Sequence, residues 1–101
     1  MARFDVYAMA GRGGVAYVLD VQASLLEHLG TRVVVPLVPL AKAPPPIKEL
    51  NPLFDIEGEP HVLLTQAMAA LPQTELKKPA LSLDVHHDRI TKALDILFTG
   101  Y

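Results

Sequence analysis

Four histidines, His28, His61, His86 and His87, are the residues best able to hold a metal ion or move a proton, but their spacing suits neither role. None of them falls in a recognisable ligand pattern, and His86 and His87, adjacent on a helix, would point roughly 100° apart and not share one ion. A solvated or capping role suits them better. The serines, Ser24 and Ser82, lie outside any nucleophile-elbow context, and Ser24 near His28 fits a structural turn as well as a catalytic pair. Cysteine is absent, which removes disulfides, thiol nucleophiles and thiolate metal sites together. Gly11-Arg12-Gly13-Gly14 could cradle a phosphate, yet it separates two strands, opens no helix and lacks the Lys-Ser/Thr of a P-loop. Glu57 and Glu59 flank a turn and read as solvated loop charge. These residues assign no catalytic group, no metal site and no cofactor; they describe a binding domain and not an enzyme.

The elements that would carry such a binding surface start with the C-terminal stretch, residues 84–101. Ile90, Ala93, Leu94 and Leu97 recur at i, i+3, i+4, i+7, the spacing of one helical face. Asp84 is the expected N-cap, Asp88 and Lys92 an outward i, i+4 ion pair, and Gly100 the stop. Beyond that stripe, Phe98 sits at its rim, Ile96 outside it, and Tyr101 ends the sequence with no polar tail. Apolar groups in that position usually contact something.

The remainder reads as strands. Arg3 to Met9 and Val15 to Val21 form a hairpin around the glycine-rich loop. Ala23 to Leu29 makes a single turn carrying Leu25 and Leu26. Thr31 to Leu40 is a buried strand that Pro36 and Pro39 should bend. Ala41 to Pro46 is an exposed polyproline-like loop. Leu53 to Ile56 and Pro60 to Thr65 flank a turn at Glu57-Gly58-Glu59, Met68 to Pro72 is an apolar connection, and Thr74 to Lys77 is a last weak strand. Strands first and a helix last predict an α+β domain with an antiparallel sheet.

With 101 residues, half of them hydrophobic, residues 1–101 form one domain with one core. A net charge of -2 offers no basic field for phosphates, so the expected partner is protein and not nucleic acid. The sequence contains no 18-residue apolar run and no leader pattern, which predicts no membrane contact and a cytoplasmic location.

The order of landmarks goes further. Phe4-Asp-Val-Tyr7, Leu19-Asp-Val-Gln22, Leu25-Leu26, Gly30-Thr-Arg32, Val33-Val-Val-Pro-Leu37, Glu49-Leu50, Pro52, Asp55-Ile56, Thr65, Met68-Ala69, Pro72, Ile90, Ala93 and Phe98-Thr-Gly-Tyr101 together resemble the CcdB toxins over essentially the full length. The resemblance implies a homodimer with an SH3-like antiparallel barrel, a small accessory sheet and a C-terminal helix. It implies the toxin of a toxin-antitoxin pair used in plasmid maintenance, which binds the A subunit of DNA gyrase and traps the cleaved-DNA complex without turnover. The gyrase-contacting positions would be Leu25, Leu26, Asp95, Phe98, Thr99, Gly100 and Tyr101. A CcdA-like antitoxin would contact Ala10, Gly11, Arg12, Gly13, Gly14 and Val15, with Lys42, Ala43, Pro44, Pro45, Pro46 and Ile47. The best-known form of the family has tryptophan where this chain has Thr99, asparagine at Asp95 and isoleucine at Tyr101; a lost aromatic anchor of that kind can cost 2 kcal/mol or more, a rough hot-spot figure. The same barrel occurs in the MazF and Kid endoribonucleases, but cleavage would need a clustered Arg and base, and Arg3, Arg12, Arg32 and Arg89 are dispersed. A non-toxic structural homodimer is the third reading.

Overall fold

A computed structural model describes residues 2–12 and 14–100, with the side chains of residues 10–12 outside the description. Among the described residues seven strands form one antiparallel sheet: β1 (Asp5–Arg12), β2 (Val15–Asp20), β3 (Thr31–Pro39), β4 (Leu53–Ile56), β5 (Glu59–Leu63), β6 (Ala69–Pro72) and β7 (Pro79–Ser82). Their order is β4-β5-β3-β2-β1-β7, with β6 also paired to β3. The helix α1 (His87–Thr99) follows the last strand. The sheet curls because β3 changes partner midway: Thr31 to Val34 pair with β6, and Leu37 to Pro39 pair with β5. The bend expected at Pro36 falls between these two ladders. The result is a half-barrel, the SH3-like α+β architecture the resemblance implied.

Neighbouring residues along the central strands are buried on opposite faces. Val6, Leu19, Val35, Leu37, Ile56 and Leu63 line the inner face and pack with Ile90 and Leu94 of α1. Tyr7, Val18 and Val34 line the other and pack with Leu76. This is why β3 reads as a continuous apolar run: a strand buried on both faces has no polar side to show. The turn between β4 and β5 needs two left-handed residues, and Glu57 and Gly58 supply them with φ of 53° and 80°.

Several local expectations need correction. Asp84 is not the helix cap: it opens a 3-10 turn, Asp84–His86, its own N–H donates to Ser82 Oγ at 3.1 Å, and α1 begins at His87. Asp88 lies 3.2 Å from the His87 imidazole, on the exposed start of the helix. Residues 74–77 are not a strand, since Gln73–Glu75 is a 3-10 turn that delivers Leu76 to the core. Conversely, Ala69–Pro72 pairs as a strand where a connection was expected, and Pro79–Ser82 pairs with β1 where nothing was. Gly100 does end α1, in the left-handed conformation with its N–H bonded to Ile96 O at 3.0 Å.

Candidate protein-binding groove

The segment between β2 and β3 is held by polar bonds. Asp20 and Arg32 are fully buried and joined by two bonds, Arg32 Nε and Nη2 to Asp20 Oδ2 at 3.0 and 2.6 Å. The other Asp20 oxygen accepts from Gln22 N–H at 3.0 Å. Burial pushes the Asp20 carboxyl above its ordinary pKa, with the Arg32 and Gln22 bonds pulling the other way. From this anchor the chain makes the 3-10 turn Ser24–Leu26, none of whose residues is buried. Arg3 ties its start, donating its backbone N–H to Ser24 Oγ and its Nε to Val21 O at 3.2 and 3.0 Å.

Opposite this turn lies the last turn of α1. A groove of about 500 Å³ runs between them, lined by Val21, Leu26, Leu29, Val33, Leu94 and Phe98 among others. Phe98 is 68% exposed and Leu26 and Leu29 each 40%, so the apolar surface of the groove is partly open. Isolated exposed leucines are ordinary; several on two elements facing one groove mark an interaction site.

The structure thus brings Leu26 and Phe98 together, with Leu25 beside them on the same turn. Asp95 is exposed and three residues before Phe98, hence on the same side of α1. Thr99 spends its hydroxyl on Asp95 O at 2.6 Å, a bond back along the helix. Gly100 sits at the cap, and Tyr101 lies outside the described residues. Leu29, Met68 and Arg3 also line the groove and were not anticipated; the Leu26-Leu29 spacing of three was the available signal.

Of the expected antitoxin positions, Gly14 and Val15 stand at the opposite end of the β2–β3 ladder, where β3 runs out toward Lys42. Tyr17 pairs with Leu37, so the residues before Tyr17 and those after Leu37 emerge at one edge. Gly14 (φ 83°) and Val15 lie there, Lys42 closes the 3-10 turn Leu40–Lys42, Ala43 is half-buried, and Pro44, Pro45 and Pro46 are exposed. Ile47 is exposed, its N–H donating to Asn51 Oδ1 at 2.9 Å. Ala10, Gly11 and Arg12 end β1 with their side chains outside the described residues, as is Gly13 altogether. Pro46 continues into a second groove of about 520 Å³, beside Pro52, Leu53, Arg89 and Lys92.

Burial raises the Tyr7 and Tyr17 phenols above 10.0, helped by Asp5 and Asp20 at Tyr7 and by Glu57 and Glu59 at Tyr17, and neither residue lines the groove. Among the described residues no three His, Asp or Glu side chains cluster as a metal site would require. His61 is buried against Tyr17, ring centroids 5.4 Å apart, and His86 packs on Phe54.

A curled antiparallel sheet of SH3-like form, one C-terminal helix and an open apolar groove between them define the class: a small α+β domain whose distinguishing surface suits a macromolecular partner. Residues 3–100 match the family described as CcdB protein. The chain belongs to the CcdB family and is a toxin of a toxin-antitoxin system.

Proposed function

We propose that this toxin binds DNA gyrase, on the enzyme's A subunit, through the Leu25-Leu26 turn and the Asp95–Tyr101 end of the helix, and traps the cleaved-DNA complex. It acts as a stoichiometric poison without turnover, works as a homodimer in the cytoplasm, and is neutralised by a CcdA-like antitoxin at the first hairpin and Lys42 to Ile47. The observation that carries this reading is the groove in which Leu26 and Phe98 stand exposed on two elements distant in sequence. Family membership supplies the class of target. Three of the four arginines support binding over RNA cleavage: Arg32 is buried on Asp20, Arg89 donates to Leu53 O at 2.7 Å, and Arg3 donates to Val21 O.

The test is a supercoiling and DNA-cleavage assay with purified gyrase. Wild-type protein should inhibit supercoiling and accumulate cleaved DNA. Deleting residues 99–101, or Phe98→Ala, should abolish both while the melting temperature stays within a few degrees, because helix ends fray and this end packs little. His87→Ala should inhibit normally. Full inhibition by the truncated dimer would sink the role of the tail, and dissociation on truncation would assign the tail to the dimer core. Cleavage of bare RNA by the wild type would establish the endoribonuclease reading instead.

A further inference from the structure

We infer that Gln22 is a positioning residue for target binding: it fixes the Leu25-Leu26 turn in front of Phe98. This rests on the gyrase reading above. Residues 23–30 are all exposed, so no buried side chain of their own holds them in place. Packing covers only part of Leu26 and Leu29, each 40% exposed, and little of Leu25, so polar bonds must help to set the angle at which the leucines are presented. Gln22, only 8% exposed, does so with every polar group it has. Its N–H goes to Asp20 Oδ1 and its carbonyl accepts from Arg32 Nη2 at 3.3 Å, which anchors the residue to the buried ion pair. Its side-chain Oε1 accepts from Val33 N–H at 3.0 Å. Its Nε2 donates to Leu26 O at 3.1 Å and to Thr31 O at 3.2 Å.

The side chain thus spans the mouth of the segment. One amide group joins the turn that carries Leu26 to the strand that leaves it, oriented by its bonds to Leu26 O, Thr31 O and Val33 N–H, while the ion pair holds the Gln22 backbone behind it. The other ties lie at the ends: Ser24 Oγ with Arg3 N–H, and Gly30 O accepting from Gln73 N–H at 2.9 Å. Ordering these leucines before binding removes an entropic cost that a loose loop would meet on docking.

The experiment combines amide hydrogen exchange with binding of the full-length dimer to purified gyrase. Gln22→Met keeps the volume and removes the donors. Exchange at Glu27 and Leu29 should accelerate on the order of tenfold with Val35 and Leu63 unchanged. Affinity for gyrase should fall about tenfold. In a Leu25→Ala/Leu26→Ala background the same substitution should cost nothing further, since the leucines it positions are gone. An equal loss in both backgrounds would overturn the proposal, because Gln22 would then touch the target or act through global stability. Unchanged loop exchange would overturn it as well. If Gln22→Met lowers core protection too, Ser24→Ala decides: a loosened turn with an intact core should weaken binding several-fold, and full affinity despite the loosened turn refutes positioning. A wild-type protein that does not bind gyrase removes the gyrase reading and the positioning role with it, while the exchange data still report separately whether Gln22 clamps the turn.

Discussion

Arg32 is the largest fully buried side chain among the described residues, and its one ionic partner there is Asp20. Its Nη1 has no hydrogen-bond partner among them, so the cation depends on that single carboxylate. Asp20→Asn should destabilise the fold by about 3–5 kcal/mol, the usual result of leaving a buried charge uncompensated, and Asp20→Asn with Arg32→Met should recover much of the loss in denaturant titrations. The Tyr7 hydroxyl is also buried without a partner among the described residues. Tyr7→Phe should therefore be neutral or stabilising by up to about 1 kcal/mol at neutral pH, since it removes a desolvated group that makes no bond. The Tyr7 and Tyr17 phenols also contribute to the alkaline behaviour. Their folded pKa values are raised above 10.0, so the folded state holds these protons more tightly than the unfolded chain. Their contribution is complete below pH 10 and is lost as pH rises through the raised values; a melting-temperature profile of Tyr7→Phe should fall less steeply there than wild type.

At the scale of elements, the proline loop and the binding turn present opposite devices. Pro44, Pro45 and Pro46 restrict an exposed segment through their own rings, while the Leu25-Leu26 turn borrows its order from Gln22. Replacing the three prolines by glycine should weaken binding of the antitoxin's disordered tail, measured by calorimetry, with little change in melting temperature; an early-melting variant with unaltered affinity would make the loop structural. What is legible in the sequence follows the same division. The α1 stripe can be read because Ile90, Ala93 and Leu94 recur at helical spacing, and the β4–β5 turn because Gly58 signals a positive φ. Strand β7 cannot, because Pro79-Ala-Leu-Ser has no alternation and owes its pairing to the register of β1. The Asp84 N–H bond to Ser82 Oγ before the helix is likewise a contact too local to show a period. In the groove, Leu26 and Phe98 are recognisable from resemblance and residue type. The Asp20-Gln22-Arg32 network is not, because polar residues at strand ends look solvated until the tertiary fold buries them.

For the whole molecule, the half-barrel leaves apolar side chains uncovered at Leu25, Ile47, Val85 and Phe98. Sedimentation at micromolar concentration should give the mass of a dimer, because a domain this small with so much open apolar surface gains by self-association; a monomer mass at that concentration counts against it. A two-fold toxin would also match a two-fold target, with the two helix ends near one axis. The exposed 23–30 segment has a consequence for how such a protein can change over generations. Its core residues and its recognition residues are different sets, linked by the Gln22 amide and by ties at Ser24 and Gly30. Leu25 is 86% exposed, so its substitution costs the fold little, and the target range of this lineage can drift there, or escape a resistant host, while the scaffold beneath it stands still.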